Sequence, residues 1–139
     1  MLRTWFGQEL VQKGGRFLSV GTEELDSSDL ARGIVELIAE KKGSDIVLLD
    51  IRRVSLLADY FVICSGDSER QLGAIVDEIL EKVKKEAGSI PLNVEGVPSS
   101  GWVLVDYGSV IVHIFAPSLR EYYSLEKLWS EATMVVRMQ

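Results

Sequence analysis

The side chains able to do chemistry are few and scattered in this chain. His113 is its one histidine, Cys64 its one cysteine, and Asp50, Asp59 and Asp106 stand singly near the ends of β-rich runs. An exposed histidine would serve as a general base, a thiolate as a nucleophile, and converging carboxylates as ligands for divalent ions. The patterns around them favour plainer roles. Metal-assisted nucleotidyl transfer is most economically built on Asp-x-Asp along one strand face, and no predicted strand carries that spacing. Each aspartate therefore reads as an end cap or turn former. His113 shares a strand face with Ile111 and Phe115, which suits a buried histidine bonded to a nearby carboxylate or carbonyl. Cys64 closes an apolar run and reads as an inert core thiol. A single cysteine excludes an internal disulfide framework and a cysteine-based structural zinc site, and a single histidine excludes a histidine-rich metal site. No metal or cofactor is expected.

One loop looks more like an enzyme. Ser65, Gly66, Asp67, Ser68, Glu69 and Arg70 join a strand to a helix, where free N–H groups and the positive end of the helix dipole can meet an anion. Arg70 would add a guanidinium. The loop lacks both the P-loop pattern and the Rossmann triple glycine, and Asp67 and Glu69 would repel phosphate. A capped helix start with Arg70 on the surface is the plainer reading; a nucleotide-binding or nucleotidyltransferase-like enzyme using residues 65–70 is the alternative function.

These residues need elements to place them. Ser27 or Ser28 can cap a helix that shows Leu30, Ile34, Leu37 and Ile38 on one face until Gly43 stops it. Strands follow at residues 45–51 and 60–64. Ser68 and Gln71 then fit a capping box for a second helix, with Leu72, Ile75, Val76, Ile79, Leu80 and Val83 at helical spacing and Gly88 as its end. A loop with Pro91, Gly96, Pro98 and Gly101 leads into a hairpin over residues 101–115, turned at Asp106-Tyr107-Gly108-Ser109. Trp102, Leu104 and Asp106 share one face of its first arm, and its second arm is apolar on both faces except at His113. Pro117 can open a short helix to Tyr123, and Ser124 can cap another around Leu125, Leu128 and Trp129. The order α-β-β-α-β-β-α predicts an α/β (α+β) domain with a mixed sheet of at least four strands flanked by helices.

At 139 residues the chain suits one domain, over residues 27–139, preceded by an N-terminal extension at 1–26 that is partly disordered and without a role of its own. Arg3, Lys13 and Arg16 hint at a transit peptide, but Glu9, Glu23, Glu24 and Asp26 oppose one, so a cytoplasmic location is expected. No apolar run is long enough to cross a bilayer, which sets membranes aside as partners. The net charge is −6, and from residue 27 onward 12 Lys and Arg stand against 17 Asp and Glu. Phosphate backbones should repel such a protein as a whole, so no sequence-specific nucleic acid is expected, whereas a basic protein partner has the right sign. Trp102, Tyr107, Tyr122, Tyr123 and Trp129 gather in the last forty residues, at strand ends and on short helices. Such residues either seal the core or form the centre of an interface.

Four ordered blocks carry a resemblance. They are residues 58–71 (Ala-Asp-Tyr-Phe-Val-Ile-Cys-Ser-Gly-Asp-Ser-Glu-Arg-Gln), Glu95-Gly96, residues 101–115, and residues 120–129 (Arg-Glu-Tyr-Tyr-Ser-Leu-Glu-Lys-Leu-Trp). Together they closely resemble the Iojap family, that of ribosomal silencing factor S, over residues 27–130. The resemblance implies a nucleotidyltransferase-like fold without the catalytic carboxylates, and no enzymatic activity. It implies a partner, the fourteenth protein of the large ribosomal subunit, whose occupation blocks subunit joining and represses translation when nutrients are short. By the same resemblance Trp102, Asp106, Tyr107, Arg120, Tyr122, Tyr123 and Glu126 form the partner surface, and a homodimer is allowed. Ser109 departs from the aspartate common after the turn glycine, which removes a charge from that surface.

Overall fold

A computed structural model describes residues 16–17 and 25–139 of the chain. The elements run α1 (Ser27–Glu40), β1 (Ser44–Asp50), β2 (Tyr60–Ser65), α2 (Glu69–Ala87), β3 (Asn93–Glu95), β4 (Trp102–Asp106), β5 (Val110–Phe115), α3 (Pro117–Tyr123), α4 (Leu125–Leu128) and β6 (Thr133–Met138), with a 3₁₀ turn at Pro98–Ser100. The mixed sheet expected from the sequence is present with six strands, in the order β3-β4-β5-β2-β1-β6. Among the described residues only the central β2–β5 pair is parallel, and the β2-to-β5 connection carries α2 along with β3 and β4. All six residues of β2 are buried, because both of its edges are paired and both of its faces covered.

The sheet divides two cores. On one face Ile46, Leu48, Val62, Cys64, Val105, Val112 and Ile114 pack against α1 and α2 through Ile34, Leu37, Ile38, Ile75 and Ile79. On the other Val47, Leu49, Phe61, Ile63 and Phe115 pack under Leu125, Leu119 and Trp129. The helical periodicities of α1 and α2 produce the first core: each helix turns a stripe of apolar residues to the sheet and leaves charge outside.

Several local expectations change in detail. The N-cap of α1 is Asp26 rather than Ser27 or Ser28, and its side chain makes no capping bond. The helix ends with Lys42 in the left-handed region, φ 64°, while Gly43 donates its N–H to Ile38 O at 2.9 Å. Glycine is needed at 43 because a Cβ there would collide with Ile38. At α2 the box is half formed: Ser68 Oγ accepts from Gln71 N at 3.1 Å, but the Gln71 carboxamide turns to Asp67 N instead. Ser124 does not cap α4 with its side chain. Its backbone sits at φ 48°, and its hydroxyl donates to Glu121 O at 2.6 Å. The loop before the hairpin holds β3, a three-residue edge strand paired with β4, and the chain closes on β6 against β1.

Most of the extension lies outside the described residues. Phe17 is buried over Gly33 of α1, where an added Cβ would strike its ring, and Arg16 bonds Glu40 at 2.8 Å. These two residues therefore pack on the domain that was expected to begin at 27.

Candidate functional site

The hairpin register decides which side chains can meet. β4 and β5 pair antiparallel with Trp102 opposite Phe115, Leu104 opposite His113 and Asp106 opposite Ile111. Alternation then sends Trp102, Leu104 and Asp106 to the same face as Ile111, His113 and Phe115, away from α1 and α2. Gly108, at φ 88°, lets the turn close, and Asp106 Oδ1 accepts from Gly108 N at 2.7 Å. Asp50 plays the matching part at the end of β1, accepting from Arg52 N at 3.0 Å. Both are the turn formers expected of isolated aspartates.

The helix α3 completes the face. Pro117 starts it directly after β5, and Ala116 N donates to Gly101 O at 2.8 Å, which fastens the start of α3 to the start of β4. One pass of that helix brings Tyr123 to Trp102. The indole stacks on Phe115 with centroids 4.9 Å apart, and Tyr123 lies 4.7 Å from the indole on a tilted plane. Tyr122 stands edge-on to Tyr123 at 5.0 Å and is 77% exposed. The result is an aromatic ridge, half-buried at Trp102 and open at the tyrosines. A shallow groove lined by Glu95, Gly96, Trp102 and Leu104 borders it.

Arg120 holds this ridge in place from within. It is buried, and its Nη1 donates to Asp45 O at 2.6 Å and to Ser65 Oγ at 2.9 Å, while Nε and Nη2 donate to Glu126 Oε2 at 3.0 and 2.6 Å. One guanidinium thus joins the ends of β1 and β2 to α4. Partial burial works to raise the Glu126 pKa, but the bonds and charge of Arg120 outweigh it and the carboxyl is held below its ordinary range. Arg137 of β6 adds a pair with Asp45 at 2.8 Å, and Asp45 itself sits at φ 48°.

The seven residues named from the sequence therefore have three placements. Trp102, Tyr122 and Tyr123 form the ridge, with Asp106 at the turn end of the same strand face. Arg120 and Glu126 are bonded to each other beneath it. Tyr107 goes to the opposite core: it follows Asp106 by one residue, so alternation turns it toward α1 and α2, where its hydroxyl has no partner among the described residues and burial pushes its pKa up to about 12.

His113 is buried, as expected, but its partner is neither a carboxylate nor a carbonyl. Its Nδ1 accepts the indole N–H of Trp102 at 3.4 Å, and burial lowers its pKa to about 4. The pairing of residues 102–106 with 111–115 was available in the turn position, and it would have put His113 beside Trp102. Cys64 is fully buried and its thiol is pushed up to about 12 by desolvation, which suits the inert thiol expected. The loop at 65–70 spends its polar groups internally. Ser65 Oγ receives Arg120, Ser68 Oγ receives Gln71 N, and Gln71 Oε1 accepts from Asp67 N at 2.6 Å while its Nε2 donates to Lys42 O at 2.8 Å. The carboxamide of Gln71 thus takes up the Asp67 N–H that the loop could have offered to an anion. Among the described residues no group of three or more His, Cys, Asp and Glu is placed to hold a metal ion, and no helix is long and apolar enough to cross a membrane.

A family model described as "Ribosomal silencing factor during starvation" matches residues 24–139. The chain belongs to that family. It is 41% identical over 111 residues to a protein of Halalkalibacterium halodurans named ribosomal silencing factor RsfS, spanning 80% of this chain and 94% of that one. It is 36% identical over 99 residues to a mouse protein named for mitochondrial assembly of the ribosomal large subunit, covering 70% of this chain and 43% of that longer one. The fold matches a crystal structure of a Chromobacterium violaceum protein with a TM-score of 0.72 at 36% identity, over 76% of this chain and 88% of that one. The ridge residues and their brace all lie within the matched span of the family.

Proposed function

We propose that this protein silences ribosomes by steric occlusion. It binds the large ribosomal subunit through its fourteenth protein and covers the surface that meets the small subunit, so that joining fails and translation falls when nutrients are limiting. The observation that carries this reading is the aromatic ridge of Trp102, Tyr122 and Tyr123, presented on an acidic chain and braced by a buried arginine. Large aromatics with an exposed polar tip are favoured at interface centres, and negative charge speeds encounter with a basic partner. Occlusion requires affinity and position only, so no catalytic group takes part. Asp106 adds charge at the turn end of the ridge face, Arg120 and Glu126 keep α3 and α4 in register with the strands, and Tyr107 supports the turn from the core side.

The reading places the protein in a bacterial cytoplasm and allows two copies to associate, with Ile90, Leu92 and Val97 as exposed apolar surface; sedimentation equilibrium reads that association. Co-sedimentation with purified large subunits tests the docking surface itself. Trp102→Ala and Tyr122→Ala are each expected to weaken binding about tenfold or more, the scale of an interface hot spot, in proteins that still melt cooperatively. Addition of small subunits should then restore joining in proportion to the binding lost. Undiminished co-sedimentation of Trp102→Ala would remove this surface from consideration.

A further inference from the structure

His113 carries a cost that folding does not explain. Its side chain is buried, its ring lies 4.9 Å from that of Phe61 and 6.2 Å from that of Phe115, and its Nε2 has no hydrogen-bond partner among the described residues. A phenylalanine would fill this aromatic surrounding without stranding a polar nitrogen, so for stability alone histidine is the worse residue. What it adds is an acceptor. Nδ1 receives the Trp102 indole N–H at 3.4 Å, a long bond but the one side-chain partner that N–H has among the described residues. An acceptor at Nδ1 requires a neutral ring with its proton on Nε2, and burial keeps the imidazole neutral at ordinary pH.

We propose that His113 is a positioning residue for ribosome docking: it orients the Trp102 indole and supplies, from inside the protein, the acceptor that water can no longer supply once a partner covers the ridge. This inference rests on the docking reading above. Stacking against Phe115 and Tyr123 holds the plane of the indole but leaves it free to slide, whereas a directed N–H bond selects one position. In the free protein Trp102 is half-buried, which leaves water as an alternative acceptor for its N–H. In a closed interface the same N–H without an acceptor stays unpaired, a loss worth about tenfold or more in affinity. His113 therefore acts on binding more than on folding.

The test compares His113→Phe with His113→Asn in the full chain, with Trp102→Ala as control. H113F removes the acceptor but keeps an aromatic ring; it should melt at or above the wild-type temperature and bind purified large subunits about tenfold more weakly. H113N places Oδ1 where Nδ1 was but leaves a cavity, so it should melt lower than H113F and yet bind more tightly. In ¹H–¹⁵N spectra the Trp102 indole signal, assigned by its loss in W102F, should move in H113F and stay closer to its wild-type position in H113N. If H113F does not fold, His113→Leu removes the same acceptor and carries the same expectation for affinity. Binding that simply follows melting temperature across these variants, or equal binding by wild type and H113F while W102A loses it, overturns the positioning role and leaves the docking reading standing. Wild-type binding by W102A overturns the docking reading itself.

Discussion

Under α1 and α2 the sheet sets Leu48, Val62, Val105 and Val112 against Ile34, Ile75 and Ile79, a core built mainly of apolar side chains. Across the same strands, a residue away in each alternation, the opposite face buries Arg120, Ser65 and His113 among Phe61, Phe115 and Trp102. The first arrangement is what burial of apolar surface favours, and it asks nothing of geometry beyond shape. The second gives up stability at each polar group and gains a fixed direction for each: Arg120 aims α4, and His113 aims an indole. A layer that tolerates buried polar groups is where the molecule has been shaped by something other than folding.

That contrast can be broken or sharpened. The largest effect is expected from Arg120→Met, which leaves Glu126, Ser65 Oγ and Asp45 O without their shared donor; unfolding in urea should show a loss of about 3 to 5 kcal/mol, and ribosome binding should fall with it. Ile79→Ala in the helix-covered core should cost about 3 kcal/mol by cavity formation, while the folded fraction binds large subunits as wild type does. If Ile79→Ala damages docking as much as Arg120→Met, the two faces are not separable.

Acid should reveal the second face through His113. Its pKa is 6.5 when unexposed to the fold and about 4 within it, so between these values the unfolded chain binds the extra proton. Stability is then fully present above pH 6.5 and lost as the pH falls toward 4, by roughly 2 to 3 kcal/mol for a shift of this size. Glu126, whose pKa is also lowered in the fold, adds its own loss only below its ordinary value of 4.5. Denaturation curves at pH 7 and pH 5 in wild type and H113F separate the two, since H113F should lose the upper part of the slope. The smallest effect belongs to a polar misfit on the apolar face: Tyr107→Phe removes a buried hydroxyl that has no partner among the described residues and should raise stability by about 1 kcal/mol in a thermal melt.

Much of this was legible in the sequence, and what was missed has physical reasons. The periods of α1 and α2 and the turn at Gly108 identify themselves, because apolar spacing and a glycine at positive φ are local signals. The alternation that put Trp102 and Asp106 together also implied that Tyr107 faces away, yet its likeness in type to the other aromatics hid that. Arg120 could not be read as buried, since arginine usually lies outside and its partners Asp45 and Ser65 are 75 and 55 residues distant in sequence. β3 has three exposed residues and no alternating apolar face, so only its pairing with β4 makes it a strand. β6 carried a usable signal in Val135 and Val136, but its pairing with β1 spans most of the chain.

The shortness of β3 has a consequence for how this protein behaves when abundant. As one of the two edge strands of the sheet it would offer backbone groups to any extended chain it met, and Leu92 before it and Val94 within it are exposed. Pro91 and Pro98 flank it, Glu95 puts a charge in it, and Gly96 turns the chain away after three residues. Prolines, charge and brevity are the means by which a sheet edge is kept from templating aggregates. The protein can thus leave apolar side chains in solvent near this border without letting its sheet grow from the β3 edge.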